Sequence, residues 1–145
     1  MFEKTEIVFS TKNKREMFRT EKASLSNVSI RGWIYNWTHR DGKETVIMLI
    51  RKGYRAGGHY HKGQDPSKKP ERFFVAKGKA KVLFATEEGT LEMKEKIVEE
   101  GEILTIPPKM GHLVKALEDL ILIEHRETPF DPERSDTYDS NSLAK

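Results

Sequence analysis

The sequence contains no cysteine, which excludes disulfides and thiolate metal sites together. That composition suits a reducing compartment, and a cytoplasmic location is expected. Long apolar runs are also missing. The longest, Val46-Ile47-Met48-Leu49-Ile50, falls far short of the roughly 20 residues a membrane helix needs. The first residues, MFEKTEIVFSTKNKR, have no apolar stretch of the signal-peptide kind. No membrane partner is expected. A dominant charge sign is lacking as well: 26 Lys and Arg against 23 Asp and Glu leave a net charge of +3. The two signs are interleaved, with no RGG, zinc-finger or basic-helix pattern. A mixed, solvated surface follows, and no nucleic-acid partner is expected. Helical periodicity is scarce too. Its one candidate is Lys12 to Lys22, KNKREMFRTEK, which is short and has few apolar positions.

What is present is a chain of 145 residues, enough for one domain with a core that needs no covalent staple. After the N-terminal segment it reads as short strands between turn signals. Val28 to His39 alternates, with Trp33, Tyr35, Trp37 and His39 on one face. That aromatic stripe suits a core or dimer face, or stacking on a sugar ring. Asp41-Gly42 marks a hairpin leading into Glu44 to Lys52. Arg72 to Thr86 is a strand bent or broken at Gly78. Turns follow at Glu87-Glu88-Gly89 and Glu99-Glu100-Gly101, and a tight loop spans Pro107 to Gly111. Further strands are His112 to Lys115 and Leu120 to Arg126. This spacing argues for an all-β barrel or sandwich. Three segments result: an N-terminal arm over 1–24, a β-barrel over 25–128, and a polar tail over 129–145 docked by Phe130 and Tyr138.

Five histidines are present: His39, His59, His61, His112 and His125. Residues two apart on a strand share a face, so His59 and His61 can aim at one point. Two imidazoles on one face are half of a metal site. Glu71 and His112 each open a later strand, where a barrel brings distant residues together. Asp65 lies closer to His61 in sequence and is a rival carboxylate. Glu71 is preferred because it keeps its register to Gly78 and leads into an apolar strand, with Phe73 and Val75 on its face.

These residues, with the glycines and prolines around them, resemble the cupin superfamily. Its first motif is G-x5-HxH-x3,4-E-x6-G and its second is G-x5-P-x-G-x2-H. Here they read GYRAGGHYH…ERFFVAKG and GEILTIPPKMGH. Two departures stand out. Nine residues, Lys62 to Pro70, separate His61 from Glu71, where the family usually has three or four. Lys109 stands at the second motif's glycine. The resemblance implies a cupin-type double-stranded β-helix, a jelly-roll barrel, binding one divalent transition metal through His59, His61, Glu71 and His112. Glu71-Arg72-Phe73-Phe74-Val75, Phe130-Asp131-Pro132 and Asp136-Thr137-Tyr138 are further similar to the C-terminal cupin domain of bifunctional capsular-polysaccharide enzymes, which act on nucleotide-linked keto sugars.

Three imidazoles and one carboxylate suit Zn, Fe, Mn, Ni or Cu, and donor type does not choose among them. The function expected is metal-dependent isomerisation or epimerisation of a sugar or nucleotide-sugar. The alternatives are a dioxygenase acting on a small molecule and a non-catalytic ligand-binding cupin. Candidate bases are His39, Tyr54 and His125, and Lys109 is a candidate contact for a phosphate or carboxylate. A small-molecule ligand and a homodimer are the expected partners, since barrel edge strands often pair across a two-fold.

Overall fold

A computed structural model of the chain describes residues 5–9, 17–86, 93–129, 131, 133 and 136–140. Among them, strands β1 (Thr5–Phe9) and β2 (Met17–Glu21) form a two-stranded antiparallel ladder. The one helical candidate, Lys12 to Lys22, is therefore a strand in its described part. Residues 12–16 lie outside the described residues, and 17–21 are extended. The physical reason is plain: KNKREMFRTEK offers a helix too little apolar face to bury, whereas MFRTE finds a backbone partner in TEIVF.

The remaining strands build two larger antiparallel sheets. The six-stranded sheet runs, in spatial order, β10 (Ile103–Ile106), β7 (Glu71–Lys77), β12 (Leu120–Arg126), β5 (Glu44–Ile50), β4 (Gly32–Thr38) and β3 (Ser24–Ser29). The five-stranded sheet runs β13 (Tyr138–Asp139), β6 (Arg55–Tyr60), β11 (Met110–Ala116), β8 (Lys79–Thr86) and β9 (Lys94–Glu99). The main apolar core joins them: Phe73, Val75, Leu120 and Leu122 from the first sheet meet Val82, Val98 and Val114 from the second. The all-β expectation holds. No helix among the described residues is long and apolar enough to cross a membrane.

Local chemistry sets the strand ends. The stretch Val28 to His39 is two strands, not one, because the chain turns at Ile30-Arg31 and β4 pairs back on β3. The hairpin at Asp41-Gly42 joins β4 to β5. Gly78 separates β7 from β8 at φ 89°, and a Cβ there would lie 2.2 Å from the Asp119 carbonyl oxygen. The Glu87-Glu88-Gly89 turn and Phe130 lie outside the described residues.

One irregularity places the histidines. On β11, His112, Val114 and Ala116 share the inward face. Ala56 of β6 is the Cα partner of Val114, but His59 is the partner of His112. Three steps on β6 therefore match two on β11, which is a β-bulge. Gly57 and Gly58 take φ 96° and 86° to make it. A Cβ on Gly57 would sit 2.7 Å from the His112 carbonyl oxygen. Strict alternation from Ala56 would turn His59 outward, and the extra residue turns it in.

Candidate metal centre

His59 comes from β6, His61 follows that strand directly, Glu71 opens β7 and His112 lies on β11. One ligand atom from each of the four lies within 4.8 Å of all the others. Donors sharing one ion at about 2.0–2.2 Å are separated by at most about 4.4 Å, so a set within 4.8 Å needs to close by no more than a few tenths of an ångström. His61, Glu71 and His112 are buried and His59 is half-buried. The imidazole centroids are 4.9 Å (His59–His61), 4.7 Å (His59–His112) and 5.4 Å (His61–His112) apart.

Hydrogen bonds fix which nitrogen faces the centre. His61 Nδ1–H donates to the Asp136 carbonyl at 2.9 Å, and its Nε2 lies 2.9 Å from Glu71 Oε1. His112 repeats the pattern, with Nδ1–H on the Met110 carbonyl at 3.1 Å and Nε2 3.3 Å from Glu71 Oε1. Tying Nδ1 to a backbone acceptor leaves Nε2 for the centre, as metal-binding histidines require. The donor set therefore fits a divalent transition metal in type, orientation and spread.

The electrostatics agree. Burial and the repulsion of His112 and His61 lower the His59 pKa to about 4, so its ring is neutral at pH 7 with a lone pair to give. Burial alone would raise the Glu71 pKa. Hydrogen bonds from His112 and His61 and the Lys68 ammonium outweigh it and hold the carboxyl well below its usual range. Burial also opposes the charged form of His61, yet its hydrogen bond and attraction to Glu71 raise its pKa.

Behind the cluster runs a row of buried charges. Lys68 Nζ lies 2.9 Å from Glu71 Oε2 and 3.7 Å from Glu124 Oε2. Arg126 then bridges Glu124 Oε1 at 2.7 Å and Glu44 Oε1 at 2.8 Å. Burial raises the Glu124 pKa against the pull of Lys68 and Arg126. The Asp136 carboxylate accepts backbone N–H groups from Lys62, Gly63, Gln64 and Asp65. Those four donors overcome its burial and lower its pKa.

The other sequence candidates lie elsewhere. Asp65 is buried but caps the 3-10 turn Pro66–Lys68 by accepting from the Ser67 N–H at 2.9 Å. It is outside the four-residue cluster. His125 lies on the outward face of β12, next to Glu127. His39 stacks on Trp37 at 4.2 Å, and its Nε2 is 2.7 Å from Thr45 Oγ1. Neither belongs to the cluster. Their neighbours on the six-stranded sheet alternate face by face, so both rings sit outside, as does the aromatic stripe. Tyr54 packs against the apolar core. Lys109 adopts φ 69°, the left-handed conformation that explains a glycine in the cupin motif, and its N–H donates to the His61 carbonyl.

A family model described as the polysaccharide biosynthesis C-terminal domain matches residues 27–138. The chain belongs to this family. Its fold is that of a cupin, and its cluster of three histidines and one glutamate resembles a cupin metal site. CapF solved with the inhibitor 3-isopropenyl-tropolone is similar at 25% identity and TM-score 0.69, over 83% of this chain and 34% of that one. The capsular polysaccharide assembling protein CapF from Staphylococcus aureus matches at 24% identity and TM-score 0.69, over 83% of this chain and 32% of that one. An oxalate decarboxylase from Bacillus subtilis, studied for its Mn(II) centres, shares the fold at 17% identity and TM-score 0.57, over 79% of this chain and 29% of that one. This family member thus spans about a third of the solved chains it matches. No curated protein matches significantly.

Within the cupin barrel, His59, Glu71, His112 and Glu124 border a cavity of about 90 Å³, walled otherwise by Met48, Phe73 and Leu122 among others. His112 also borders a second cavity of about 280 Å³, which Phe84, Lys96 and Met110 help line. Sequence reading gave Lys68, Glu124, Arg126, Glu44 and Asp136 no role in the site. Glu124 carried a signal: it shares its parity with Leu120 and Leu122, both core residues.

Proposed function

We propose that this domain binds one divalent transition metal through His59, His61, Glu71 and His112, and acts on a keto sugar in polysaccharide synthesis as an isomerase or epimerase. The observation that supports the reading most is the buried convergence of three oriented imidazoles and one ionised carboxylate beside a cavity. Membership of a polysaccharide biosynthesis family and likeness to a capsular polysaccharide assembling protein support a sugar as the substrate. The metal, when bound, supplies Lewis acidity toward a carbonyl oxygen and so acidifies the neighbouring C–H.

The chain's own residues do the rest. Asp136 and Met110 hold two imidazoles in the required tautomer. Met48, Phe73 and Leu122 give the cavity apolar walls that exclude water. Glu124 is the proton-transfer candidate in place of His39 and His125: it lines that cavity, and its Oε2 accepts no hydrogen bond among the described residues. A cavity of about 90 Å³ takes the reacting end of a sugar only, so the remainder lies toward the larger cavity that shares His112. The tropolone inhibitor of CapF carries a hydroxyl beside a carbonyl, the oxygen pair of a hydroxyketone, which a Lewis-acidic ion chelates.

The test joins elemental analysis of protein purified without added ions to proton exchange. A nucleotide-linked 4-keto hexose is incubated with the protein in D2O and followed by NMR. One metal per chain and deuterium at the carbon next to the carbonyl support the reading. A bound ion with oxygen uptake instead of exchange would make the domain a dioxygenase. A four-coordinate ion with neither would make it a non-catalytic module. No bound transition metal under any loading condition would end the metal reading.

A further inference from the structure

The nine-residue segment between His61 and Glu71 is folded, not loose. Asp136 accepts four of its backbone N–H groups, and Asp65 caps its 3-10 turn. The turn ends on Lys68, whose side chain is about nine-tenths buried. A buried ammonium is costly unless it is paired. This one is held between two carboxylates, 2.9 Å from Glu71 Oε2 and 3.7 Å from Glu124 Oε2. Both oxygens of Glu71 are therefore committed in different directions. Oε1 faces the Nε2 atoms of His61 and His112, and Oε2 faces Lys68.

We propose that Lys68 is a positioning residue that determines metal selectivity: by occupying Glu71 Oε2 it limits Glu71 to one donor oxygen, and by pairing with Glu124 it keeps that carboxylate off the ion. The inference rests on the metal reading above and deepens it. A carboxylate with both oxygens free chelates, which raises the coordination number and favours oxygen-preferring ions such as Mn(II). Clamped to one oxygen, Glu71 completes an N3O set of low coordination number, which favours zinc-like ions. Without Lys68, the Glu71 and Glu124 carboxylates would lose the cation that pairs with both.

The experiment compares wild type with K68M, K68R and E124Q on the full chain. Mn(II) and Zn(II) dissociation constants come from chelator competition, and the coordination number from the visible spectrum of the Co(II)-loaded protein. Expected for K68M is a shift of the Mn/Zn affinity ratio toward Mn(II) by roughly tenfold or more, with a weaker Co(II) absorption that marks a higher coordination number. K68R restores the wild-type spectrum and ratio, and E124Q leaves both close to wild type. If K68M does not fold, K68M/E124Q removes one charge of each sign and is compared with E124Q alone, with the same shift expected. An unchanged ratio and spectrum in K68M, or in the double variant against E124Q, would overturn the role of Lys68. Wild-type protein that binds none of the three ions overturns the metal reading instead, and the two failures are told apart by that control.

Discussion

Asp136 holds both His61 and the loop that follows it, across 75 positions of sequence. The Asp136 carbonyl takes the Nδ1 proton of His61, and the Asp136 carboxylate takes the four N–H groups that follow His61. One residue thus sets both the tautomer of a candidate ligand and the path of the loop that carries Lys68.

Replacing Asp136 should therefore cost stability and weaken metal binding together. D136A leaves four backbone donors without their acceptor and should lose about 3 kcal/mol or more. The pH dependence has a defined sign. The folded pKa of Asp136 is lowered, so its contribution is complete above the ordinary aspartate range of about 4 and is lost as pH falls below it. In D136N that acid-side decline should flatten. Thermal melts of both proteins between pH 3 and 7 check this.

Glu71 and Asp65 separate cleanly in consequence. E71Q should lose bound metal, because a neutral amide replaces the only carboxylate of the cluster. D65N should keep the metal and nearly all of its stability, because an asparagine oxygen caps the turn as well as a carboxylate does. Metal content by elemental analysis, with urea unfolding of each variant, decides the assignment.

Glu124 and His125 are neighbours that face opposite ways. E124Q should retain the metal but lose deuterium exchange into a keto sugar by a factor of about 100 or more. H125Q should change neither. Exchange that depends on His125 would mean that the inward face of β12 is not the working one.

Lys109 holds φ 69°, which costs a residue with a Cβ about 1 kcal/mol. K109G should raise stability by about that amount and leave metal affinity unchanged. A chemical denaturation midpoint measured on both proteins is sufficient.

Strand β3 is an edge with Leu25 and Val28 exposed, Val28 by 68%. Edges of this kind favour pairing between copies. Light scattering should give a dimer mass for the wild type and a monomer mass for V28E.

The sequence carried the cluster because strand parity and motif spacing are local properties. His59 and His61 share a face, Glu71 holds its register to Gly78, and His112 follows a proline loop. What lay outside that reading depends on long-range geometry. Lys68 sits in a polar segment with no periodicity, so nothing local shows that its ammonium turns inward. Asp136 acts from a polar tail and declares itself only through the backbone it receives. Glu124 was readable from its parity with Leu120 and Leu122, yet the neighbouring histidine drew the chemical assignment. The helical candidate over Lys12 to Lys22 is a strand over 17–21, because composition alone does not reveal a ladder partner.

The Gly57-Gly58 bulge makes possession of the site depend on strand phase. Removing a single glycine would leave Ala56 opposite Val114 while rotating both imidazoles toward solvent. The barrel could then persist as a scaffold with its centre erased. Gain or loss of this chemistry in such a fold is thus one codon away, with no new side chain required.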